Sequence, residues 1–430
     1  MISTNANVES WKSNVPESWS IIPLKFITSY NDEKLSELSD PDLIFDYIDI
    51  GSVSYENGIE TVQRCCFKDA PSRARRVVRE NDVILSTVRT YLKAGAIIPE
   101  HDRLMIVSTG FITIRAKETI LSQYLKYLIL SHGFVSEVEC RSYGSNYPAI
   151  NPVEIENITV PLPDIKSQES ITSFLDARCS SIDSAISKHQ QIIEKLEEYR
   201  KAVITQAVTK GLNPNAKMDD DHHEGLGAIP THWKYERIKY LFTIRKRIAG
   251  EEGYTVLSIT QHGIVPKDID SNKGQIAADY SDYQLVYAGD FAMNHMDLLT
   301  GWVDISNYDG VTSPDYRVFT INDETRNDKR YFKYLLQMCY FNRIFYRLGA
   351  GISGMGRWRL QAPAFNNFKF PVPPLAEQAE IANYIDHVSE TIDTAVSQHN
   401  QLISKLQEYK QSLIYNAVTG KIDCTVEAKA

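Results

Sequence analysis

The fold of this chain is decided by an internal repeat. Residues 161–209 read PLPDIKSQESITSFLDARCSSIDSAISKHQQIIEKLEEYRKAVITQAVT, and residues 371–419 repeat the pattern without a gap as PVPPLAEQAEIANYIDHVSETIDTAVSQHNQLISKLQEYKQSLIYNAVT. A repeat at a fixed period dictates architecture, and a period of 210 residues means two copies of one unit rather than a solenoid. We therefore predict a pseudo-twofold molecule whose ligand also comes in two halves. Matched identical residues include Gln168/Gln378, Asp176/Asp386, Asp183/Asp393, Tyr199/Tyr409 and Val208/Val418.

Each repeated stretch is predicted to form one long helix. Pro161 and Pro163 stand just before the first predicted helix, where prolines commonly occur. Gly211 and Pro214 follow it, as helix-ending residues do. Helices over 168–209 and 378–419 would each hold about 40 residues, which makes a rod of roughly 60 Å at 1.5 Å per residue.

Apolar residues recur in both helices with the heptad spacing that is typical of coiled coils. The simplest partner of each helix is the other helix. A histidine falls on an apolar row in each copy, where we predict that it fixes the helix register rather than catalyses a reaction. The first predicted row contains Ile182, His189, Leu196 and Val203, with Ile392, His399, Leu406 and Leu413 in the second helix; the neighbouring row contains Ala185, Ile192 and Tyr199, with Ala395, Leu402 and Tyr409.

The residues before each helix form two modules that resemble each other more faintly. The segment YLKYL at 124–128 matches YFKYL at 331–335, and Asn157 matches Asn367. Strands are predicted at 77–88, 110–115 and 315–321, and helices at 120–138 and 330–347. The predicted fold class is α/β (α+β), with one scaffold used twice. The predicted parts are a first module at 1–160, a first spacer helix region at 161–213, a linker at 214–226, a second module at 227–370, a second spacer helix region at 371–421 and a tail at 422–430.

Composition limits the function. The chain has 430 residues and a net charge of −9, which argues against indiscriminate nucleic-acid binding but permits a specific DNA reader with local basic patches. No stretch approaches the roughly 18 apolar residues of a membrane helix. The six cysteines form no CxxC or zinc spacing, so we expect free thiols and a cytoplasmic location. The acidic and histidine-rich run at 219–223 is expected to be a solvated linker, and no metal site is predicted.

Two loops occupy equivalent points of the repeat, just before the long helices. The second one reads GAGISGMG at 349–356, which matches the dinucleotide fingerprint by letters. That fingerprint must follow a strand and open a helix, whereas the residues before this loop look helical. DNA contact suits the loop better, because a glycine-rich backbone can approach phosphates while nearby arginines reach base edges. The predicted contacts are Arg141, Tyr143, Asn146 and Tyr147 in the first loop, and Arg357, Trp358 and Arg359 in the second. A plain surface loop is the alternative at both places.

Further basic and polar residues are candidates for DNA contact. In an acidic chain a basic concentration is informative, and it favours phosphate binding over a merely solvated face. These candidates are Lys68, Arg73, Arg75, Arg76, Arg79, Arg89, Tyr91 and Lys93 in the first module, and Arg245, Lys246, Arg247, Lys273, Asn294 and His295 in the second.

Catalytic motifs are missing from the sequence. There is no GxxxxGK[ST] phosphate loop and no HExxH, and Asn151-Pro152-Val153 falls short of the Asn/Asp-Pro-Pro-aromatic motif of amino-methyltransferases. The chain therefore looks like a binding protein rather than a catalyst.

The order of module, helix, module and helix resembles the specificity subunits of type I restriction-modification systems. The resemblance covers essentially the whole chain. It rests on VPLP at 160–163 with Gln168 and Ile171, on FPVPPL at 370–375 with Gln378 and Ile381, and on the helix ends QAVTKG at 206–211 and NAVTGK at 416–421. The first copy departs from the pattern at 164–167, which reads DIKS where the second copy reads PLAE.

The resemblance implies a function for each part. Each module would read one half of a split site in double-stranded DNA, and the two helices would pair antiparallel and set the gap between the halves. Two modification subunits, which hold S-adenosylmethionine, and two restriction subunits would dock on this chain. S-adenosylmethionine, ATP and magnesium would serve those partners, and this chain would bind none of them. The competing hypotheses are a coiled-coil scaffold that binds only proteins, and a methyltransferase with its own cofactor site.

Overall fold

The computed structural model describes residues 10–219, 225–269, 279–351 and 358–424. The chain divides into two compact units, Met1–Gln190 with Asn400–Ala430, and Gln191–His399. Each unit therefore contains one module and about half of each long helix.

The first module is built on two four-stranded sheets. In spatial order, the first sheet contains Thr28–Tyr30, Phe111–Ala116, Val83–Ser86 and Gly95–Ile97, and all its neighbours are antiparallel. The second sheet contains Gln63–Cys66, Ile44–Ile48, Met105–Ser108 and Ala74–Val78, with a parallel pair in the middle. Two small ribbons pair Ser20–Pro23 with Thr159–Leu162 and Val53–Ser54 with Gly58–Ile59. The α-helices are Leu24–Ile27, Ser122–Ile129, His132–Cys140 and Pro152–Glu156; the 3-10 turns are Ser10–Lys12, Ile50–Ser52, Phe67–Asp69 and Thr90–Leu92.

The second module repeats the first of these sheets strand for strand. Its four-stranded sheet contains Phe242–Arg245, Arg317–Ile321, Phe291–Met293 and Val303–Ile305 in that order. Four ribbons pair Lys234–Arg237 with Lys369–Val372, Leu257–Thr260 with Gly263–Pro266, Gln284–Val286 with Gly310–Thr312, and Met218–Asp219 with Ile229–Pro230. The helices are Ile238–Leu241, Lys329–Phe341, Ile344–Arg347 and Ala362–Asn367.

Three predicted elements are each divided into two. The predicted strand at 77–88 is interrupted by a turn in which Asn81 has a φ of +67° and the Asp82 carboxylate accepts from the Arg79 amide. The predicted helix at 120–138 breaks where Ser131 caps a new helix by accepting from the Phe134 amide. The predicted helix at 330–347 breaks at Arg343, which has a φ of +56°. Hydrophobic periodicity continues across each break, so the pattern did not reveal it.

The two long helices are confirmed, at Ile165–Lys210 and Leu375–Val418. Gly211, directly after the first, adopts a φ of +72°, a left-handed conformation that suits glycine at a helix end. Ionic contacts show that the helices pair antiparallel. In the first unit Lys410 Nζ lies 2.7 Å from Asp183 Oδ1, and in the second unit Arg200 Nη2 lies 2.5 Å from Asp393 Oδ1.

The first predicted heptad row lies on the helix–helix seam, but the neighbouring row does not. Ile182, Ile392 and Leu413 of the first row are buried, and its other members are half-buried. Of the second predicted row, Ile192 and Leu402 are exposed, as are Tyr199 (56%) and Tyr409 (57%). Apolar residues stand on both sides of the first row, so spacing alone could not choose between them. The structure selects the side that contains Ile186, Ile193, Arg200 and Ala207, with Val396, Ile403, Lys410 and Ala417.

Several repeated residues join a module to the helices. Gln168 is fully buried; its Oε1 accepts from the Leu121 amide at 2.8 Å, and its Nε2 donates to the carbonyls of Pro163 and Thr119 at 2.9 and 3.3 Å. Its counterpart Gln378 makes the same three bonds, at 2.8 Å to Asp328, 2.8 Å to Pro373 and 3.2 Å to Arg326. A buried amide that satisfies three backbone groups cannot be replaced without orphaning them, which explains why it occurs in both copies.

Two tyrosines of each module make the corresponding joints. The Tyr124 hydroxyl contacts the carbonyls of Pro161 and Val418, and the Tyr331 hydroxyl contacts those of Pro371 and Val208. One helical turn on, Tyr127 donates to Asp176 and Tyr334 donates to Asp386. The YLKYL and YFKYL segments are therefore repeated because they attach each module to the end of one long helix and the start of the other.

A candidate nucleic-acid interface in each module

In the first module the structure brings two loops together, 87–93 and 141–150. The Ile150 amide donates to the Thr87 carbonyl at 2.9 Å, and the Thr90 and Ser142 hydroxyls are 2.7 Å apart. The Arg89 guanidinium lies 5.2 Å from the centre of the Tyr147 ring. We call this surface the first loop pair. Sequence reasoning had placed these residues in separate groups.

The first loop pair presents exposed aromatic and basic side chains. Tyr143 is 74% and Tyr147 68% exposed, and Arg89 and Tyr91 are also exposed. Arg89 has a φ of +50°, a conformation that is uncommon without a glycine and that occurs often at functional sites. Exposed tyrosines and arginines combine flat apolar faces with hydrogen-bond donors, which suits contact with the edges and phosphates of a nucleic acid.

The other candidates on this surface differ in exposure and in whether they already form an ion pair within the protein. Asn146 is exposed. Arg141 donates to the fully buried Glu137 at 2.6 Å, so its charge is already used inside the protein. Lys93 lies 3.3 Å from Glu139.

The second module brings together the equivalent described segments, 294–300 on one side and 349–351 with 358–360 on the other. The Leu360 amide donates to the His295 carbonyl at 3.0 Å, which repeats the Ile150–Thr87 bond of the first module. Ala350 and Arg359 exchange two backbone hydrogen bonds, of 2.9 and 3.1 Å. We call this surface the second loop pair. The candidates Lys273 and Arg357 lie outside the described residues.

Trp358 anchors the second loop pair. Its Nε1 donates to the Tyr346 carbonyl at 2.7 Å, and the side chain is half-buried. A Cβ at Gly349 would come within 2.4 Å of that same nitrogen, so the close packing requires glycine there. Gly349, the first glycine of the GxGxxG pattern, is therefore needed for close packing against Trp358. The Asn294 side chain accepts from the Met296 amide at 3.2 Å and shapes the facing loop.

The second loop pair rests on a cluster of which the sequence predicted His295 and Arg359 but not Arg317. Arg317 is only 5% exposed; its Nη2 donates to the Leu360 carbonyl at 2.9 Å, and its guanidinium lies 4.6 Å from the Phe365 ring centre. Burial lowers the pKa of Arg317 to about 10. Burial, together with the charges of Arg317 and Arg359, lowers the pKa of His295 to about 4, so this imidazole is neutral at physiological pH.

The basic cluster at 68–79 is largely neutralised by the protein itself. Lys68 lies 2.8 Å from Asp42, and Arg79 lies 2.6 Å from Glu33. Arg75 stacks at 4.9 Å from the centre of the Phe67 ring. The carboxylates that pair with Lys68 and Arg79 are distant in the sequence, so the basic run predicted more unpaired charge than the structure has.

Arg73 and Arg76 connect that cluster to the first loop pair. The Thr109 amide donates to the Arg73 carbonyl at 2.8 Å, and Arg76 Nη2 donates to the Thr109 carbonyl at 3.3 Å. The next residue, Gly110, accepts from the Thr87 amide at 2.8 Å. Arg73 is exposed, while burial lowers the pKa of Arg76.

The candidates at 245–247 also differ among themselves. Arg247 lies 2.7 Å from the buried Asp290 and 4.8 Å from the centre of the Tyr287 ring, so it stabilises a turn. In the first module, Arg115 holds the matching Asp82 at 2.7 Å. Arg245 Nε donates to Thr320 at 3.0 Å, and Lys246 is exposed.

Three further observations bear on the chemistry. In the described parts of the chain, no three His, Cys, Asp or Glu side chains converge as they would around a metal ion. Within the same ranges, no helix combines the length and apolar character needed to cross a bilayer. All six cysteines are free thiols.

Comparison with known families identifies the class of protein. A family model, the type I restriction modification DNA specificity domain, matches residues 71–198 and 231–405. The two matches cover more than half of the chain, and the chain therefore belongs to this family. The resemblance that the sequence suggested is confirmed.

Individual relatives extend over nearly the whole chain. The chain is 24% identical to the type I restriction enzyme MjaVIII specificity subunit of Methanocaldococcus jannaschii, covering 95% of this chain and 94% of the relative. It is 22% identical to the StySPI specificity subunit of Salmonella potsdam, covering 96% and 90%. A chain from a solved structure on complex assembly and conformational transition of the type I R-M system superposes with a TM-score of 0.67 at 20% identity, covering 95% of this chain and 99% of that one. At that identity the similarity shows the fold alone.

Proposed function

We propose that this chain is the DNA-recognition subunit of a type I restriction-modification complex, and that each module reads one half of a bipartite site. The observation that supports this most strongly is the repetition of the loop pair. One scaffold holds loops together at the same place twice, by the Ile150–Thr87 bond in one module and the Leu360–His295 bond in the other. The side chains on the two loop pairs differ, as two different half-sites would require.

Binding of duplex DNA to the full chain tests this function. We expect sequence-selective binding whose affinity falls with salt, because phosphate contacts release counterions. Equal affinity for all duplexes, or no binding at low salt, would instead favour the coiled-coil scaffold. Membership of the specificity family already favours DNA recognition over that scaffold.

The long helices supply a surface for partners. Six identical pairs are exposed on the two helices, although the other repeated positions are mostly buried or half-buried. Asp183 and Asp393 form the ion pairs between the helices. The other five pairs are Ser187/Ser397, Gln191/Gln401, Lys195/Lys405, Glu198/Glu408 and Tyr199/Tyr409. The internal packing of the fold does not require identical residues at exposed positions. A partner that docks once on each helix would require them, and we assign this surface to two copies of the modification subunit.

Tyrosine substitutions on the two helices test this docking. Tyr199→Ala or Tyr409→Ala alone should remove one modification subunit from the assembled complex, and the double variant should remove both. Native mass spectrometry of the complex gives the stoichiometry directly. Lys188→Ala is the matched control, because Lys188 is exposed on the same helix but is not repeated at position 398. Retention of two subunits by the double variant would place docking elsewhere.

The remaining components of the system follow as proposals. S-adenosylmethionine, ATP and magnesium would act in the modification and restriction subunits in the cytoplasm, and the length of the paired helices would set the gap between half-sites. Missing phosphate-loop and methyltransferase motifs support this assignment. Methyl transfer by the purified chain without partners would contradict it.

A further inference from the structure

The cluster beneath the second loop pair contains a buried charge without a counter-ion. Among the described residues, no carboxylate forms an ion pair with Arg317, and its Nη1 has no hydrogen-bond partner. His295 Nδ1 is likewise buried and without a partner. An unpaired buried cation costs several kcal/mol, so its presence needs a reason.

The scaffold does not supply that reason, because the first module forms the same sheet without the charge. In the strand register, Arg317 faces Met293 as Ile112 faces Leu85. His295 stands where the first module has Thr87, as the Leu360–His295 and Ile150–Thr87 bonds show. Arg359, bridged to Ala350, corresponds to Ala149, bridged to Tyr143.

Three positions that are neutral in one module are thus basic or titratable in the other. Module one uses Ile112, Thr87 and Ala149, and module two uses Arg317, His295 and Arg359. The substitutions lie on three separate elements, and the charges of Arg317 and Arg359 both act on the His295 ring. A requirement of packing would not change all three together toward positive charge.

We propose that Arg317, Arg359 and His295 form an oxyanion site, and that its occupant in the assembled complex is a backbone phosphate of the DNA half-site read by the second module. The part that concerns DNA rests on the function proposed above. Arg317 Nη1 and the Arg359 guanidinium supply charged donors, which form the strongest hydrogen bonds to phosphate oxygens.

His295 completes the site by taking up a proton. The groups that face it are Arg317, Arg359 and the Met293 carbonyl, which accepts a hydrogen bond from the ring. In the same loop the Asp297 carboxylate is held by Thr300 and by the amides of Leu299 and Thr300. An oxyanion offsets the two arginine charges, so the unpartnered Nδ1 can be protonated when the anion binds and can donate a hydrogen bond to it.

Free phosphate provides the first test. Thermal unfolding of the full chain is followed in phosphate and in chloride at equal ionic strength. We expect phosphate to raise the Tm of the wild type, to do so more at pH 6 than at pH 8, and to lose this effect in Arg317→Ile. The isoleucine is the residue that the first module uses at this position. Arg359→Ala, chosen because the first module has Ala149 there, gives the same readout should the isoleucine variant fail to fold. Arg326→Gln, at an exposed arginine of the same module, is the control and should behave like the wild type.

DNA binding by the same variants provides the second test. Arg317→Ile should weaken binding to the cognate duplex about tenfold or more. It should also lower the slope of log affinity against log salt by about one. A phosphate effect on Tm with an unchanged salt slope would keep the oxyanion site but assign it to a free anion instead of DNA.

The remaining outcomes separate the two proposals. No phosphate effect together with an unchanged salt slope would overturn the oxyanion site. Absence of sequence-selective DNA binding in the wild type, with the phosphate effect intact, would overturn the DNA-reading function and leave the anion site standing.

Discussion

The two modules share the hydrogen bonds that attach them to the long helices, and they differ in their loops. Gln168 and Gln378 satisfy corresponding backbone groups with nearly equal distances, and the tyrosines of both modules reach the ends of the long helices. The first loop pair instead shows exposed tyrosines with Arg89, whereas the second rests on a buried arginine and a neutral histidine. Identity between repeats therefore marks what attaches a module, and difference marks what the module recognises.

The helix seam shows the same division on a smaller scale. The ion pairs Asp183–Lys410 and Asp393–Arg200 are equivalent by the repeat. Asp393 lies 210 positions after Asp183, and Lys410 lies 210 positions after Arg200. Charged residues on an apolar seam cost stability but specify which helix lies opposite and in which direction. The seam is thus specified twice in the same way, although the modules that it carries have diverged.

Loss of the glutamine hydrogen bonds that attach the modules to the long helices should destabilise both units equally. We expect no larger effect elsewhere in the molecule. Gln378→Leu leaves the Asp328 amide and the carbonyls of Pro373 and Arg326 without partners, which should cost about 3 kcal/mol of the free energy of unfolding. Gln168→Leu should cost the same in the first unit. Urea unfolding of both full-length variants measures this. A loss in one variant alone would show that the joints are not equivalent.

The loops should respond unequally. Arg89→Asn keeps a residue that tolerates the left-handed backbone and removes the guanidinium, so DNA binding should weaken by about 1–3 kcal/mol if Arg89 reads a base. The loss should be confined to the first half-site, as binding to duplexes altered in either half would reveal. Arg103→Ala, at an exposed arginine of the same module, should bind like the wild type. Equal loss for changes in both halves would remove Arg89 from the reading surface.

The histidine in the second loop pair should make stability depend on pH. Its folded pKa of about 4 lies below the ordinary value, so the unfolded chain takes up a proton first as the pH falls. Stability should therefore decline between about pH 6.5 and pH 4, by about 3 kcal/mol from this group. His295→Thr, the residue of the first module, should remove that share. Parallel stability curves for the wild type and the variant over this range would refute the buried neutral histidine.

The smallest effect is expected at the seam ion pairs. Asp183→Asn and Asp393→Asn each remove one carboxylate that is more than half exposed, so each should cost about 0.5 kcal/mol or less. The two losses should agree within error and shrink in high salt. A cost of several kcal/mol from either variant would mean that the seam charges hold the helices together rather than specify their partner.

The sequence predicted the long helices well, because their heptads extend over many turns and their ends carry proline and glycine. It could not choose between Tyr199 and Arg200 for the seam, since a charged residue is not expected there. The element breaks at Ser131 and Arg343 were missed because the hydrophobic pattern continues through them.

The sequence predicted the candidate DNA-contact site less completely than the long helices, because residues that meet in the structure are far apart along the chain. Residues of 87–93 and 141–150 were both proposed to contact DNA, but only the fold shows that they meet. The partners of Lys68, Arg79 and Arg247 lie 26, 46 and 43 positions away in the sequence, so their free charge was overstated. Arg317 looked like an ordinary strand residue, because a strand pattern does not show which face a single arginine occupies.

The central claim is that one scaffold carries two independent readers, and exchange of one module tests it most directly. Residues 227–370 are replaced by the second module of a relative that modifies a different site, and the methylated sites are mapped in a genome that carries the hybrid and its partner subunits. We predict that the half-site read by the first module keeps its sequence, that the other half becomes that of the relative, and that the gap between them is unchanged. A change in both halves would contradict the account, and so would a fully active hybrid that still methylates the original site.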